Sequence, residues 1–246
     1  MSASGILRIK DELASGASSA AAAPLTDASV RPGSGVTIAI VDYGMGNLRS
    51  VQKGFEHASG ASVVVTAEPG AIAAADGVVL PGVGAFRDAA AHLRATGLRE
   101  VALERIAAGV PFLGICLGMQ LLADVGLEDG EWEGLGVLGG VCERLPGGVK
   151  IPHIGWNTVE YPRESALFAG IPESTAFYFV HSYHLVPADP ACVIGRTGYG
   201  IEFASAVGRD TGGSAVYAVQ FHPEKSSLAG LKLLGNFAAI VEERRA

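Results

Sequence analysis

Val110-Pro111-Phe112-Leu113 is a short apolar run that passes through Gly114-Ile115-Cys116-Leu117-Gly118 into Met119-Gln120-Leu121-Leu122-Ala123, a helix-like segment. A buried strand that turns sharply into a helix has this texture. Glycines on both sides of Cys116 permit a turn tight enough to push that residue out over the end of a sheet. The positive end of the following helix and any nearby base would favour its thiolate. A cysteine flanked by glycines is also a common small buried residue, so the turn alone leaves both readings open.

Working outward, Val36-Thr37-Ile38-Ala39-Ile40-Val41 is continuously apolar and rich in β-branched residues, as in a parallel strand covered on both faces. A glycine-containing turn, Asp42 to Asn47, leads to a helical segment with Leu48, Val51 and Phe55. Ala61–Val65 and Gly77–Leu80 are further strands, the second running into Pro81-Gly82-Val83-Gly84. Leu93 to Ile106 reads as an amphipathic helix broken at Gly97. This alternation predicts an α/β fold with a doubly wound, mostly parallel sheet, whose ligands gather at the carboxyl ends of its strands. Leu138–Leu145, Thr158–Tyr161, Ala176–Val180, Ala191–Gly195 and Ala215–Phe221 are short strand-like pieces between Gly/Pro turns, which predicts an antiparallel portion in the C-terminal half. Leu228 to Val241 closes the chain as a helix.

With 246 residues, 49% of them apolar, the chain suits one good-sized domain. A net charge of −7 without a basic cluster argues against a nucleic-acid partner. No apolar run reaches the roughly 18 residues of a membrane span. Cys116, Cys142 and Cys192 form no CxxC pair, so a reducing, cytoplasmic compartment is expected. Residues 1–35 are rich in Ala, Ser and Gly and read as a flexible N-terminal extension, with an organelle transit peptide as the alternative; residues 36–246 form the domain.

A cysteine nucleophile needs a base and a group to hold that base. His222-Pro223-Glu224 follows the strand-like run ending at Phe221, and on an extended backbone His222 and Glu224 project to the same side. Glu224 could then hold one ring nitrogen of His222 while the other faces Cys116. Spacing alone does not separate this from a capping or surface histidine. The turn Pro81–Gly84 can offer backbone N–H groups that, with the N–H of Leu117, stabilise a tetrahedral oxyanion. Gly44-Met45-Gly46 is a weak phosphate-loop candidate because it lacks the third glycine. His153, His181 and His184 lack metal-ligand spacing, so structural roles, no metal and no cofactor are expected. Cys142 and Cys192 read as inert core thiols. These residues leave hydrolase, transferase and peptidase open.

Pro81-Gly82-Val83-Gly84, Gly114 to Gln120 and Gln220-Phe221-His222-Pro223-Glu224-Lys225-Ser226 together resemble the class I (triad) glutamine amidotransferases of flavodoxin-like fold. Within that class, Asp42 to Leu48, Pro152-His153-Ile154-Gly155-Trp156-Asn157 and Tyr178 to Tyr183 are similar to the glutaminase subunit of imidazole glycerol phosphate synthase. The resemblance implies that Cys116 attacks the glutamine side-chain amide, His222 moves the proton and Glu224 orients His222. It assigns substrate binding to Gly84, Leu117, Gln120, Ser182 and Tyr183, and the oxyanion donors to Val83 and Leu117. The Val83 N–H is expected to turn into place only when a partner is engaged. The implied partner is the cyclase of that synthase, whose (β/α)8 barrel would form a heterodimer with this chain and receive its ammonia for histidine biosynthesis. Asn47, Trp156, Asn157 and Lys225 match positions near that interface, although a tryptophan taken alone is more often a core residue. The rivals are the glutaminase subunit of pyridoxal phosphate synthase, against which Pro152–Asn157 speaks, and a non-catalytic flavodoxin-like binding module.

Overall fold

The computed structural model describes residues 35–210, 213 and 215–245. The extension expected over residues 1–35 therefore lies outside the described residues, Gly35 excepted. The first half runs β1 (Thr37–Val41), α1 (Leu48–Ala58), β2 (Ser62–Thr66), α2 (Pro69–Ala73), β3 (Gly77–Gly82), α3 (Phe86–Ala95), α4 (Leu98–Ala107), β4 (Phe112–Cys116) and α5 (Leu117–Gln120). The second half carries β5 (Val125–Gly126), β6 (Trp132–Glu133), β7 (Val141–Arg144), β8 (His153–Val159), β9 (Thr175–His181), β10 (Tyr183–Val186), β11 (Val193–Tyr199), β12 (Ile201–Arg209) and β13 (Val216–Val219). Helix α6 (Ser227–Arg245) follows a short 3-10 turn at Pro223–Lys225.

A seven-stranded sheet in the order β11-β12-β13-β4-β3-β1-β2 forms the centre. Strands β2, β1, β3, β4 and β13 are parallel, and β12 and β11 extend one edge antiparallel. The expected mostly parallel sheet with a C-terminal antiparallel portion is thus present. A four-stranded sheet, β10-β7-β5-β6, and the hairpin β8-β9 stand apart from it.

Both faces of β1, β3, β4 and β13 are buried, which explains their unbroken apolar runs. Ile38, Ile40, Val79, Leu113, Ile115, Tyr217 and Val219 point into one core with Phe55 of α1 and Leu233, Leu234 and Phe237 of α6. Ala39, Val41, Val78, Leu80, Phe112, Val216 and Ala218 point into the other, against Phe86, Leu93 and Leu98 from α3 and α4. Register decides where the site forms. Gly82 stands beside Cys116 on β4, and Val219 stands beside Ile115, so the segments leaving β3, β4 and β13 emerge at one sheet edge.

Some elements differ from the sequence reading. Helix α5 has only four residues, because Leu121 and Ala123 turn away to bond Leu135 and Gly136. The break expected at Gly97, φ 71°, is present, but the helix before it begins earlier than Leu93, at Phe86. The strand expected at Thr158–Tyr161 instead spans His153–Val159; Ile154 and Trp156 are 57% and 54% exposed on its outer face, which disguised its alternation. No described helix is long and apolar enough to cross a membrane.

Candidate active site

The turn at Cys116 is built by close backbone approach. A Cβ on Gly118 would meet the Leu80 carbonyl oxygen at 1.8 Å, and one on Gly114 would meet the Gly118 oxygen at 2.7 Å. Only glycine lets α5 press against β3 and β4. Cys116 itself has φ 55° and ψ −109°, a conformation costing on the order of 1–3 kcal/mol for a residue with a Cβ. The core around it holds the strain and keeps the thiol aimed at the sheet edge. The thiol faces the Val180 carbonyl at 3.7 Å, and the Gln220 side-chain amide approaches Sγ at the same distance, 3.7 Å.

His222 arrives from the end of β13. Its N–H donates to the Tyr178 carbonyl at 2.9 Å, and its own carbonyl accepts from Ser226 Oγ at 2.6 Å. Ser226 Oγ in turn accepts from the Tyr178 N–H at 3.0 Å, which ties the base to strand β9. His222 Nδ1 meets Glu224 Oε1 at 2.8 Å, with the two side chains 4% and 1% exposed. The expected extended backbone does not persist. Pro223–Lys225 is a 3-10 turn, and it is this turn that folds Glu224 back onto the ring.

Burial by itself would disfavour the His222 imidazolium. Hydrogen bonds to Cys116 and Glu224, together with their charges, outweigh it and push its pKa up to about 10. Glu224 Oε2, buried and without a hydrogen-bond partner among the described residues, leaves that carboxylate dependent on the imidazolium. At neutral pH the ring therefore carries its proton before any substrate arrives. Cysteine, histidine and glutamate stand in line as a nucleophile and proton carrier with an orienting carboxylate.

This line opens into a cavity of about 310 Å³ walled by Val83, Gly84, Cys116, Leu117, Gln120, Ser182, Tyr183, His222 and Lys225. All of these were singled out from sequence. Pro152, Val180, His181 and Glu128 also line it and were not assigned to the site. Glu128 sits in a turn without a motif, and only the tertiary bond from the Phe86 N–H to its Oε2, 2.7 Å, brings it in. A larger hollow of about 720 Å³ around Tyr161, Arg163 and Glu173 is lined by neither cysteine nor histidine.

Asn47, Trp156 and Asn157 are not in the cavity wall. Trp156 is 54% exposed and packs edge-on against Tyr178, which overturns the core reading of the tryptophan taken alone. Asn157 lies on the inner side of β8, half-buried, and Asn47 is exposed before α1. His181 ends β9 and His184 lies in β10. Cys142 and Cys192 are buried free thiols, both raised in pKa mainly by burial.

Residues 39–240 match the family model "Glutamine amidotransferase class-I". The imidazole glycerol phosphate synthase subunit HisH of Moorella thermoacetica is 54% identical over 204 residues, covering 83% of this chain and 95% of that protein. The subunit of the same name from Aquifex aeolicus is 49% identical over 204 residues, covering 83% and 97%. Among solved structures, a GMP synthase-like protein of Thermoplasma acidophilum shares the fold at TM-score 0.66 and 19% identity, covering 85% of this chain and 96% of that one. The chain therefore belongs to the class-I glutamine amidotransferases, within the family of the imidazole glycerol phosphate synthase subunit HisH, and is a glutamine-hydrolysing enzyme.

Proposed function

We propose that Cys116, His222 and Glu224 are the catalytic triad of the glutaminase subunit of imidazole glycerol phosphate synthase, and that the ammonia passes to a cyclase subunit bound as a heterodimer. The observation that carries this reading is the line from Cys116 through His222 to Glu224 at the wall of a cavity of amino-acid size. The Cys116 thiolate attacks the side-chain amide carbon of glutamine. Its oxygen takes the negative charge, and the N–H groups of Leu117 and Val83 receive it. His222 gives its proton to the amide nitrogen, ammonia leaves, and a thioester remains. Water loses a proton to His222, attacks the thioester and releases glutamate, which frees the Cys116 sulfur and returns the proton to His222.

The substrate's ends suit the rest of the wall. Gly84, Leu117 and Gln120 hold the glutamine side chain, while Ser182 and Tyr183 hold its α-amino and α-carboxylate groups. Glu128 adds a carboxylate suited to the α-ammonium. The Val83 N–H lies in the peptide that follows Gly82, a residue without a Cβ, so that peptide can turn over, and partner engagement directs the Val83 N–H inward.

The docking face for the cyclase is the exposed surface around the cavity. Ile154, Trp156 and Val83 are exposed apolar side chains there, joined by exposed Asn47 and Lys225, while half-buried Asn157 backs β8 from its inner side. Val180, the partner of Ile154 across the β8-β9 hairpin, lines the cavity itself, so an occupant of this face would cap the site. Capping keeps ammonia neutral and out of water on its way to imidazole glycerol phosphate and aminoimidazole carboxamide ribotide. The enzyme works in histidine biosynthesis in the cytoplasm, a reading in keeping with its buried free cysteines. Residues 1–35 are an extension outside this catalytic domain.

Replacing Cys116 by Ala in the complex with the cyclase tests the assignment. Glutamine-dependent synthesis is expected to vanish and ammonia-dependent synthesis to remain. Loss of both would make Cys116 structural, and survival of both would move the nucleophile elsewhere. The isolated chain is expected to hydrolyse glutamine weakly and the cyclase to raise the rate; full activity alone would remove the gating role of Val83.

A further inference from the structure

A file of uncharged hydrogen-bonding groups runs behind the cavity. Asn157 Nδ2 donates to the Gly198 carbonyl at 3.0 Å and stands 3.3 Å from His153 Nε2. His153 Nδ1 is 3.0 Å from His181 Nε2, and His181 Nδ1 is 3.0 Å from the Tyr183 carbonyl. That same carbonyl accepts from Gln120 Nε2 at 2.8 Å. Gln120 Nε2 also donates to Gln220 Oε1 at 3.1 Å, and Gln220 Nε2 approaches Cys116 Sγ at 3.7 Å. The file thus reaches from the inner side of β8 to the nucleophile.

One assignment of protons satisfies every link. A carbonyl only accepts, so His181 must carry its proton on Nδ1 to bond Tyr183. Its Nε2 is then an acceptor, which requires His153 to donate from Nδ1. His153 Nε2 is left to accept from Asn157. We propose that His153 and His181, locked as neutral Nδ1–H tautomers, are positioning residues for glutamine hydrolysis: they fix the Tyr183 carbonyl, and through it Gln120 and Gln220, against Cys116. This inference rests on the glutaminase reading of the site above.

Packing holds the two rings in place. His153 is stacked between Phe179 at 4.9 Å and Tyr199 at 3.9 Å, and His181 contacts Phe203 at 5.1 Å between ring centres. Both histidines are buried, at 3% and 5% exposure. Burial depresses the His153 pKa to about 4 and the His181 pKa to about 3. His153, His184 and His222 are the other titratable side chains acting on His181, and each opposes a proton on it, whereas its bond to the Tyr183 carbonyl favours one. The protonated His222 thus helps keep its neighbour neutral, and one cavity holds a charged and an uncharged histidine with separate tasks.

Nitrogen-15 NMR of the full chain labelled at histidine tests the tautomers without any need for activity. Two neutral Nδ1–H rings that stay uncharged at pH 6 are expected; an Nε2–H tautomer or an imidazolium at His181 would overturn the proposal. Steady-state glutamine hydrolysis by the complex with the cyclase tests the positioning role. His181→Phe removes both ring nitrogens and is expected to raise KM for glutamine about tenfold with a smaller loss in kcat, because Gln120 loses its anchor. His181→Asn, which keeps a donor near the Tyr183 carbonyl, is expected to recover most of that loss, and it guards against a Phe variant that fails to fold. Wild-type KM in His181→Phe, or no recovery in a folded His181→Asn, would sink the idea. Absence of glutamine hydrolysis in the wild-type complex would instead defeat the glutaminase reading, and the tautomers would still be decided by NMR.

Discussion

Cys116 and His222 sit a few residues from the same sheet edge but are held by different forces. The turn at Cys116 is fixed by shape, with backbone pressed on backbone at Gly114 and Gly118. His222 is fixed by hydrogen bonds: to Tyr178 and Ser226 through its backbone, and to Glu224 through its ring. Shape gives one strained conformation with no room to vary. A hydrogen-bonded arm can be loosened a bond at a time, and it couples His222 to strand β9 of the β8-β9 hairpin. The site thus pairs a rigidly held thiol with an imidazole whose placement answers to its neighbours.

Substitutions can break this contrast in order of expected effect. Glu224→Gln keeps a side chain able to bond His222 but removes its charge, so glutamine turnover in the complex should fall about 10²–10⁴-fold while the fold survives. The same variant has a pH signature. Folding raises the His222 pKa from 6.5 to about 10, so its pairing stabilises the fold fully below about pH 6.5 and loses that contribution as pH rises through about 10. Unfolding free energy measured across that window should decline more in the wild type than in Glu224→Gln; equal slopes would show that Glu224 does not support the imidazolium.

Gly118→Ala attacks the shape-held side. With the Leu80 oxygen 1.8 Å from the new Cβ, α5 must move off β3, and a loss of about 3 kcal/mol in denaturant unfolding is expected along with most activity. Near-native stability would mean that the turn tolerates a shift. Ser226→Ala loosens the hydrogen-bonded side by stranding the Tyr178 N–H, at about 1–3 kcal/mol, and should slow turnover more gently than Gly118→Ala does. Gly70→Ala is the mildest comparison. It has open space, is helical in α2, and should gain about 0.5–1 kcal/mol without touching activity. A loss there would show that glycine content, rather than close approach, governs the Gly118 result.

How far the sequence could be read depends on range. The parallel strands were legible because burial on both faces leaves continuous apolar runs, as in Ile38–Val41 and Val78–Leu80. Strands β10 and β12 went unanticipated. β12 carries the small residues Ala204, Ser205, Ala206 and Gly208 where a buried strand usually shows an apolar run, and β10 is short and paired to the distant β7. Exposed Ile154 and Trp156 hid β8 because its outward face carries apolar residues where a solvated face usually carries polar ones. Glu128 had no local pattern at all, since a single carboxylate in a turn acquires meaning only from what folds over it.

By itself the sequence determined a sharp glycine-flanked turn at Cys116 at the end of a buried strand, since such turns depend on the glycines themselves and on local apolar patterning. It also carried, in Pro81–Gly84 and Gln220–Ser226, the motifs that the family shares. The tertiary structure alone decided that these segments meet, because parallel register sets β3, β4 and β13 level at one edge. It alone folded Glu224 onto His222 through a 3-10 turn, buried the pair so that the imidazolium persists, and set a neutral histidine file behind them. Proton positions depend on burial and on which groups face one another, and those relations exist only in the folded chain.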